Sequence, residues 1–218
     1  MILWVEKRLE NVYAANMANE ANTVNIAKRY HHGDVRAAVL ARGLARLEEA
    51  DAAALSLREL ARDVGVSAPA LYRHFRDRDA LLDALAGEGA AQLAARQRAA
   101  SERAGGGEAG FTECGREYVR FALSAPHLFK LMFARLPPPS RGTNSMGAAV
   151  SFLHDSIAGW LPPGATDERR KVAAMYFWSL VHGLALLMLD GQLPADPALV
   201  DRVIGREGFA AAFPPHQV

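Results

Sequence analysis

Histidine is the residue type in this chain best suited to catalytic or metal chemistry, and seven histidines are present. No H-E-x-x-H, C-x-x-C or paired-carboxylate signature accompanies them, and no G-x-S-x-G sequence offers a nucleophile elbow. Gly105–Gly107 lacks the lysine that follows in a phosphate loop, and adjacent His31 and His32 cannot easily face one metal ion from a helix. The residue types therefore predict no catalytic site, no metal site and no cofactor.

Composition indicates a soluble globular protein of one or two small domains. The 218 residues are 50% hydrophobic and 22% charged, and the formal net charge is only +1, so any basic surface for nucleic acid must be local. Charged residues from Glu6 onward interrupt the apolar start before a signal peptide can form. The lone Cys114 excludes an internal disulfide and fits a reducing compartment, so a cytoplasmic location is expected.

Hydrophobic periodicity is helical wherever it is visible, and no stretch alternates like a strand. Val35, Val39, Leu40, Leu44 and Leu47 share one helix face, as do the apolar residues of 146–160. Breaks are expected at Gly105–Gly107, 136–140, 162–164 and 214–215. We predict an all-α protein, built as a single-copy helical bundle.

The segment Ser56–Leu82 carries the strongest local signals. Ser56 and Glu59 form a capping-box pattern at a helix start, and Gly65 can supply the left-handed residue that ends this helix. Ser67 can cap a second short helix, from which Leu71 and Phe75 would point into the core. Two short helices joined through Gly65–Val66 make a helix-turn-helix, whose second helix enters the major groove of DNA.

Residues 30–82 resemble the DNA-binding domain of the tetracycline-repressor (TetR) family, and three stretches carry the likeness: Tyr30–Arg36, Gly65–Phe75 and Arg78–Leu82. A weaker resemblance joins Pro126–Phe133 and Trp178–Leu184 to the C-terminal domain of one branch of these regulators. The family implies a three-helix helix-turn-helix head on a larger helical-bundle body. It also implies a dimeric repressor, which a small-molecule effector releases from a palindromic double-stranded operator. It also implies domains at 30–78 for DNA binding and 79–218 for ligand binding and dimerisation, after an arm of residues 1–29 that we expect to be loosely ordered.

Carried over residue by residue, the resemblance implies contacts to DNA from the recognition helix, the helix before it and the two flanking elements. These residues are His31, His32, Arg36, Arg58, Ser67, Ala68, Ala70, Tyr72, Arg73, His74 and Arg78. Ala68 and Ala70 replace the polar residues often found at their positions and can offer only methyl contacts, so DNA shape should matter more than direct base reading. Arg78 would grip phosphate.

The body should supply a pocket from aromatic residues, methionines and one histidine on its helices. Those expected to contact ligand are Phe121, Met132, Phe133, Phe152, Trp160, Met175, Trp178 and His182. Few charges fall among them, which favours an apolar or aromatic ligand.

The apolar stretch Val172–Leu189 is barely long enough to cross a membrane, and it equally suits a bundle centre or a dimer interface, so we expect no membrane partner. We assign a homodimer interface to this stretch and to Ala198–Phe209. Several alternatives stay open: an activator, a regulator without ligand, or an all-helical enzyme or small-molecule carrier with an incidental helix-turn-helix. Met17 is a possible alternative start, which leaves open whether residues 1–16 belong to the native protein.

Overall fold

The computed structural model describes residues 35–135 and 164–205, and within these ranges it is all-α with no strand, as predicted. Eight α-helices and one short 3-10 helix follow one another in these two ranges. They are α1 Val35–Glu49, the 3-10 helix Ala52–Ala54, α2 Leu57–Asp63, α3 Ala68–Tyr72, α4 Arg78–Arg103, α5 Gly107–Ser124, α6 Pro126–Arg135, α7 Asp167–Leu189 and α8 Pro197–Val203. The expectations for the arm 1–29, the helix face in 146–160 and the breaks at 136–140 and 214–215 lie outside the described residues.

Helices α1, α2 and α3 bury their apolar faces against one another, in a core that continues into the rest of the described chain. Val39, Leu47, Leu60, Leu71 and Phe75 are almost completely buried there, which confirms the predicted inward face of α1 and of the recognition helix. Burying a large aliphatic or aromatic side chain contributes about 1.5–3 kcal/mol relative to leaving it exposed, so these few residues stabilise the head despite its size.

The ends of the short helices follow the predicted pattern with one exception. Gly65 has φ 71°, the left-handed conformation expected after α2, and the Ser67 hydroxyl accepts a hydrogen bond from the Ala70 amide at the start of α3. The predicted capping box is wrong, because the Ser56 side chain makes no capping hydrogen bond. Glu59 instead forms an ion pair with Arg46 of α1 at 3.2 Å, so a contact between helices replaces the local one.

The body is built around α4, the 26-residue helix that begins at the head. Helix α4 packs against α5 and α6, and α5 packs in turn against α7. A Cβ atom added to Gly89 of α4 would lie 2.8 Å from the Met132 sulfur and 2.9 Å from a Leu128 methyl, so glycine permits the close approach of α6. The break at Gly105–Gly107 is a tight turn between α4 and α5, in which all three glycines have positive φ. The domain boundary near residue 78 stays a prediction.

Helix α7 is the one described helix that is long and apolar enough to cross a membrane by length and composition, a test that the core helix of a soluble protein also passes. It is only partly covered, since Val172 is 59% and Met175 64% exposed. The predicted interface in α8 needs correction. Val200 and Ile204 are buried in the core of their own chain, because α8 packs onto α5, so they are not available to a second protomer.

Candidate DNA-binding face and candidate ligand site

Residues of the recognition helix α3 form an exposed polar surface on the head. Ser67, Tyr72, Arg73 and His74 are exposed, with Tyr72 at 44%, while Ala68 and Ala70 are partly buried. Leu71, in the same helix, is completely buried, so its packing fixes which side of α3 faces outward. The structure thus brings six of the predicted DNA-contacting residues together on and beside one short helix. Contact with DNA itself stays a prediction.

Two more predicted contacts, Arg36 and Arg58, are exposed on α1 and α2. The Arg36 guanidinium lies 5.6 Å from the centre of the Phe75 ring, a distance suited to a cation–π contact. This contact places the charge of Arg36 beside the end of the recognition helix. His31 and His32 lie outside the described residues.

Arg78 has a structural role that sequence reasoning missed. Its guanidinium donates hydrogen bonds to the carbonyl oxygens of Leu55 at 3.1 Å and Ala52 at 2.5 Å. Both acceptors precede α2, so Arg78 ties the start of α4 to the head. The contact of Arg78 with a DNA phosphate stays a prediction, but two of its guanidinium nitrogens already donate hydrogen bonds within the protein.

The basic residues of α1 are partly neutralised by α2. Asp63 accepts hydrogen bonds from Arg46 at 2.7 Å and Arg42 at 2.9 Å. These bonds, the Arg46 bond first, hold the pKa of the Asp63 carboxyl below its ordinary value. A count of Lys and Arg in the head therefore overstates the positive charge that DNA would meet.

A cluster of aromatic side chains joins α5, α6 and α7 in the body. The Tyr118 hydroxyl lies 2.9 Å from His182 Nδ1, and the Trp178 indole N–H donates to the same hydroxyl at 3.4 Å. The rings of Phe129 and Phe133 lie 5.8 and 4.5 Å from the His182 ring, measured between centres. We call Tyr118, Phe129, Phe133, Trp178 and His182 the aromatic cluster.

Burial determines the protonation behaviour of this cluster. Tyr118 is 5% exposed, and burial raises the pKa of its phenol well above the ordinary range. Burial also lowers the pKa of His182, which favours the neutral imidazole. The cluster is therefore an uncharged, hydrogen-bonded aromatic surface near neutral pH.

The predicted ligand residues are only partly brought together. Phe133, Trp178 and His182 belong to the aromatic cluster, whereas Phe121 and Met132 are buried core residues and Met175 is exposed. Phe152 and Trp160 lie outside the described residues. Sequence reasoning missed Tyr118 and Phe129. Tyr118 could have been found as the one polar-tipped aromatic residue on the apolar face that includes Cys114 and Phe121, all of them buried.

Helix α6 connects the aromatic cluster to the head. Its residues Phe129 and Phe133 lie in the cluster, and the helix also packs against α1 and the 3-10 helix. In its last turn Arg135 forms ion pairs with Asp79 at 2.9 Å and Asp83 at 2.8 Å, both in the first turns of α4. One helix thus contacts the candidate ligand site and the start of α4.

An open cleft of about 630 Å³ lies elsewhere, beside the turn between α4 and α5. Its lining includes Glu108, Thr112, Glu113 and Arg116, and no residue of the aromatic cluster. Three charged side chains line this cleft, unlike the apolar site that the sequence predicts.

Comparisons with known proteins identify the class of protein to which the chain belongs. Residues 39–85 match the family model described as bacterial regulatory proteins of the tetR family. Residues 111–206 match the model described as the tetracyclin repressor-like C-terminal domain. The chain belongs to the TetR family and is a DNA-binding transcriptional regulator.

Solved structures share the fold over most of the chain. A protein of unknown function from Rhodococcus sp. RHA1 is 36% identical, with a TM-score of 0.66 over 81% of this chain and 92% of the other. A protein described as a candidate regulator is 28% identical, with a TM-score of 0.59 over 78% of this chain and 92% of the other. A TetR variant from Acinetobacter baumannii AYE, in complex with minocycline, is 24% identical, with a TM-score of 0.52 over 81% of this chain and 97% of the other, and supports the fold alone. A search of curated proteins found no match.

Proposed function

We propose that this regulator is a cytoplasmic homodimeric repressor, which a small apolar or aromatic ligand releases from a palindromic operator. The observation that carries the proposal is the position of α6. This helix contributes Phe129 and Phe133 to the aromatic cluster and is joined through Arg135 to the first turns of α4. A ligand that displaces α6 would therefore act on the helix that holds the head.

The DNA-contacting face consists of the exposed residues of α3 with its flanking cations. Arg73 and His74 would reach base edges or phosphates, and Arg36 and Arg58 would meet the backbone. Ala68 and Ala70 leave few polar groups for direct reading, so operator shape contributes to specificity. His31, His32, Ser67, Tyr72 and Arg78 complete the proposed set.

Two protomers are needed, because one helix-turn-helix covers too little DNA for tight specific binding. Their recognition helices would be about 34–36 Å apart, or a multiple of that distance, on a palindromic site. The exposed apolar side chains of α7 favour this helix as the interface: Val172 and Met175 in its first half and Leu187, 46% exposed, near its end.

Ligand would bind against the aromatic cluster, where Phe133, Trp178 and His182 present apolar surface and one polar edge. The remaining proposed contacts are Phe121, Met132, Phe152, Trp160 and Met175. To release DNA, the ligand must have a higher affinity for the arrangement of the heads that cannot bind DNA than for the one that can. A ligand with equal affinity for both arrangements would not shift the equilibrium between them. Couplings of this kind are typically about 1–3 kcal/mol.

Gel retardation with the promoter fragment of the protein's own gene tests the repressor proposal. We expect retardation of this fragment at concentrations that leave a random duplex free, and loss of retardation on adding a planar aromatic ligand. An enzyme or carrier with an incidental helix-turn-helix would retard neither duplex. If no compound in a broad panel of aromatic ligands reverses the retardation, a regulator without ligand is favoured.

Two substitutions test the path through α6. Trp178→Ala should raise the ligand concentration that releases DNA, because the ligand loses an aromatic contact. Arg135→Gln should weaken the coupling itself, so that the ligand still binds and releases less DNA. Arg98→Gln is the matched control, since this exposed arginine of α4 makes no ion pair with the described residues. Equal release by Arg135→Gln and the control would place the coupling outside this contact.

A further inference from the structure

Among the described residues, the three polar groups of the aromatic cluster can be satisfied in only one way. The Trp178 indole N–H can only donate a hydrogen bond, so the Tyr118 oxygen is the acceptor of the 3.4 Å contact. The single phenolic hydrogen of Tyr118 is then directed at His182 Nδ1, at 2.9 Å. In the reverse arrangement the hydroxyl hydrogen would have no acceptor among the described residues, in a side chain that is 5% exposed.

This arrangement fixes the tautomer of His182. Since Nδ1 accepts the Tyr118 hydrogen, it carries no proton, and the neutral ring has its hydrogen on Nε2. No other described residue hydrogen-bonds to the ring. His182 is partly exposed while Tyr118 is buried, and Nε2–H is the ring donor that Tyr118 does not engage. The cluster therefore offers one hydrogen-bond donor that is free of partners among the described residues.

The surroundings of this donor are aromatic. The rings of Phe133, Phe129 and Trp178 lie 4.5, 5.8 and 6.0 Å from the His182 ring. A carboxylate bound here would exchange water for a single neutral donor among apolar rings, which is unfavourable for a charge. Protonating His182 to pair with the anion would place a hydrogen on Nδ1 and leave the Tyr118 hydroxyl without its acceptor.

We propose that the effector of this regulator is a neutral aromatic carbonyl compound, whose oxygen accepts a hydrogen bond from His182 Nε2–H while its ring packs against Phe133 and Trp178. Tyr118 acts as a positioning residue, because it holds the imidazole in the tautomer that donates through Nε2. This assignment rests on the proposed function in one respect, namely that the aromatic cluster is the ligand site.

The tautomer is tested without any ligand, by nitrogen-15 NMR of the imidazole rings in the full-length protein. The His182 signals are assigned with His182→Phe, and His127→Gln identifies a histidine outside the cluster. We expect His182 to carry its hydrogen on Nε2 near neutral pH, and Tyr118→Phe to convert it to a mixture of tautomers. A His182 ring that is protonated, or that carries its hydrogen on Nδ1, would overturn the proposal.

Ligand class is tested with three probes of similar shape: acetophenone, its hydrocarbon isostere α-methylstyrene, and benzoate. We expect acetophenone to bind about three- to tenfold more tightly than the hydrocarbon, the range that one hydrogen bond gives, and benzoate to bind most weakly. The preference for acetophenone should disappear in His182→Phe and shrink in Tyr118→Phe. If His182→Phe does not fold, comparing the affinities of acetophenone and α-methylstyrene in Tyr118→Phe and the wild type still tests the proposal.

The outcomes separate this inference from the proposed function. Equal binding of acetophenone and α-methylstyrene at the cluster would overturn the carbonyl assignment and leave the ligand site standing. If no probe changes the NMR signals of His182 or Trp178, both the carbonyl assignment and the ligand site are overturned. Retardation of the promoter fragment would still report on DNA binding independently.

Discussion

Replacing Arg78 distinguishes a residue that holds the head together from one that touches DNA. In Arg78→Ala the carbonyls of Leu55 and Ala52 lose the donors that lie 3.1 and 2.5 Å away. A hydrogen bond to a charged group contributes about 1.5–3 kcal/mol, and the Ala52 bond is solvent-exposed and counts for less. We expect a loss of about 2 kcal/mol in the free energy of unfolding.

Thermal unfolding and DNA titration measure the two consequences separately. For a chain of this size a loss of about 2 kcal/mol lowers the Tm by roughly 4–8 °C. DNA binding should weaken similarly for operator and random duplexes, because the head is held less firmly on α4. The dependence of affinity on salt should be unchanged if Arg78 contacts no phosphate, whereas removing a phosphate contact lowers the slope by about one unit.

Arg78→Lys and Arg73→Ala are the matched variants. Lysine keeps the charge but cannot reproduce the two-carbonyl fork, so Arg78→Lys should recover only part of the lost Tm. Arg73 is exposed and forms no ion pair with described residues, so Arg73→Ala should leave the Tm unchanged and weaken operator binding by about 1–3 kcal/mol if it reads a base. An unchanged Tm in Arg78→Ala, together with a reduced salt slope, would refute the structural role of Arg78.

Three further predictions concern acid stability, the core and assembly. Hydrogen bonding to Arg46 lowers the pKa of Asp63 below the ordinary carboxyl value of 3.8. The ion pair therefore stabilises the fold above pH 3.8, and this stabilisation is lost as the pH falls through the lower pKa of the folded state. Asp63→Asn should remove this pH-dependent part of the stability measured by urea unfolding. Phe129 is completely buried, so Phe129→Ala should cost about 3–5 kcal/mol in urea unfolding, and a loss under 1 kcal/mol would contradict its packing. Met175→Glu with Leu187→Glu should convert the expected dimer to a monomer in light scattering, and a wild-type monomer at micromolar concentration would contradict the assignment of α7.

The amino-acid sequence by itself determined the helical fold and the helix-turn-helix, because their signals are local. Gly65 ends α2 through a left-handed backbone that other residues rarely adopt, and Ser67 caps α3 through an amide three residues away. The spacing of Leu71 and Phe75 defines the buried face of the head. Each of these features depends on neighbours within a turn or two, so the residue order suffices.

Only the tertiary structure decided the contacts between distant residues. Tyr118 meets His182 across 64 positions, and Arg135 meets Asp79 across 56. Helical periodicity shows which face of each helix is apolar, but not which side chain of another helix will lie opposite it. The capping box predicted at Ser56 is absent for the same reason, because Glu59 forms an ion pair with Arg46 of a neighbouring helix instead of a local hydrogen bond. Such partners depend on how helices pack, and packing is a property of the whole chain.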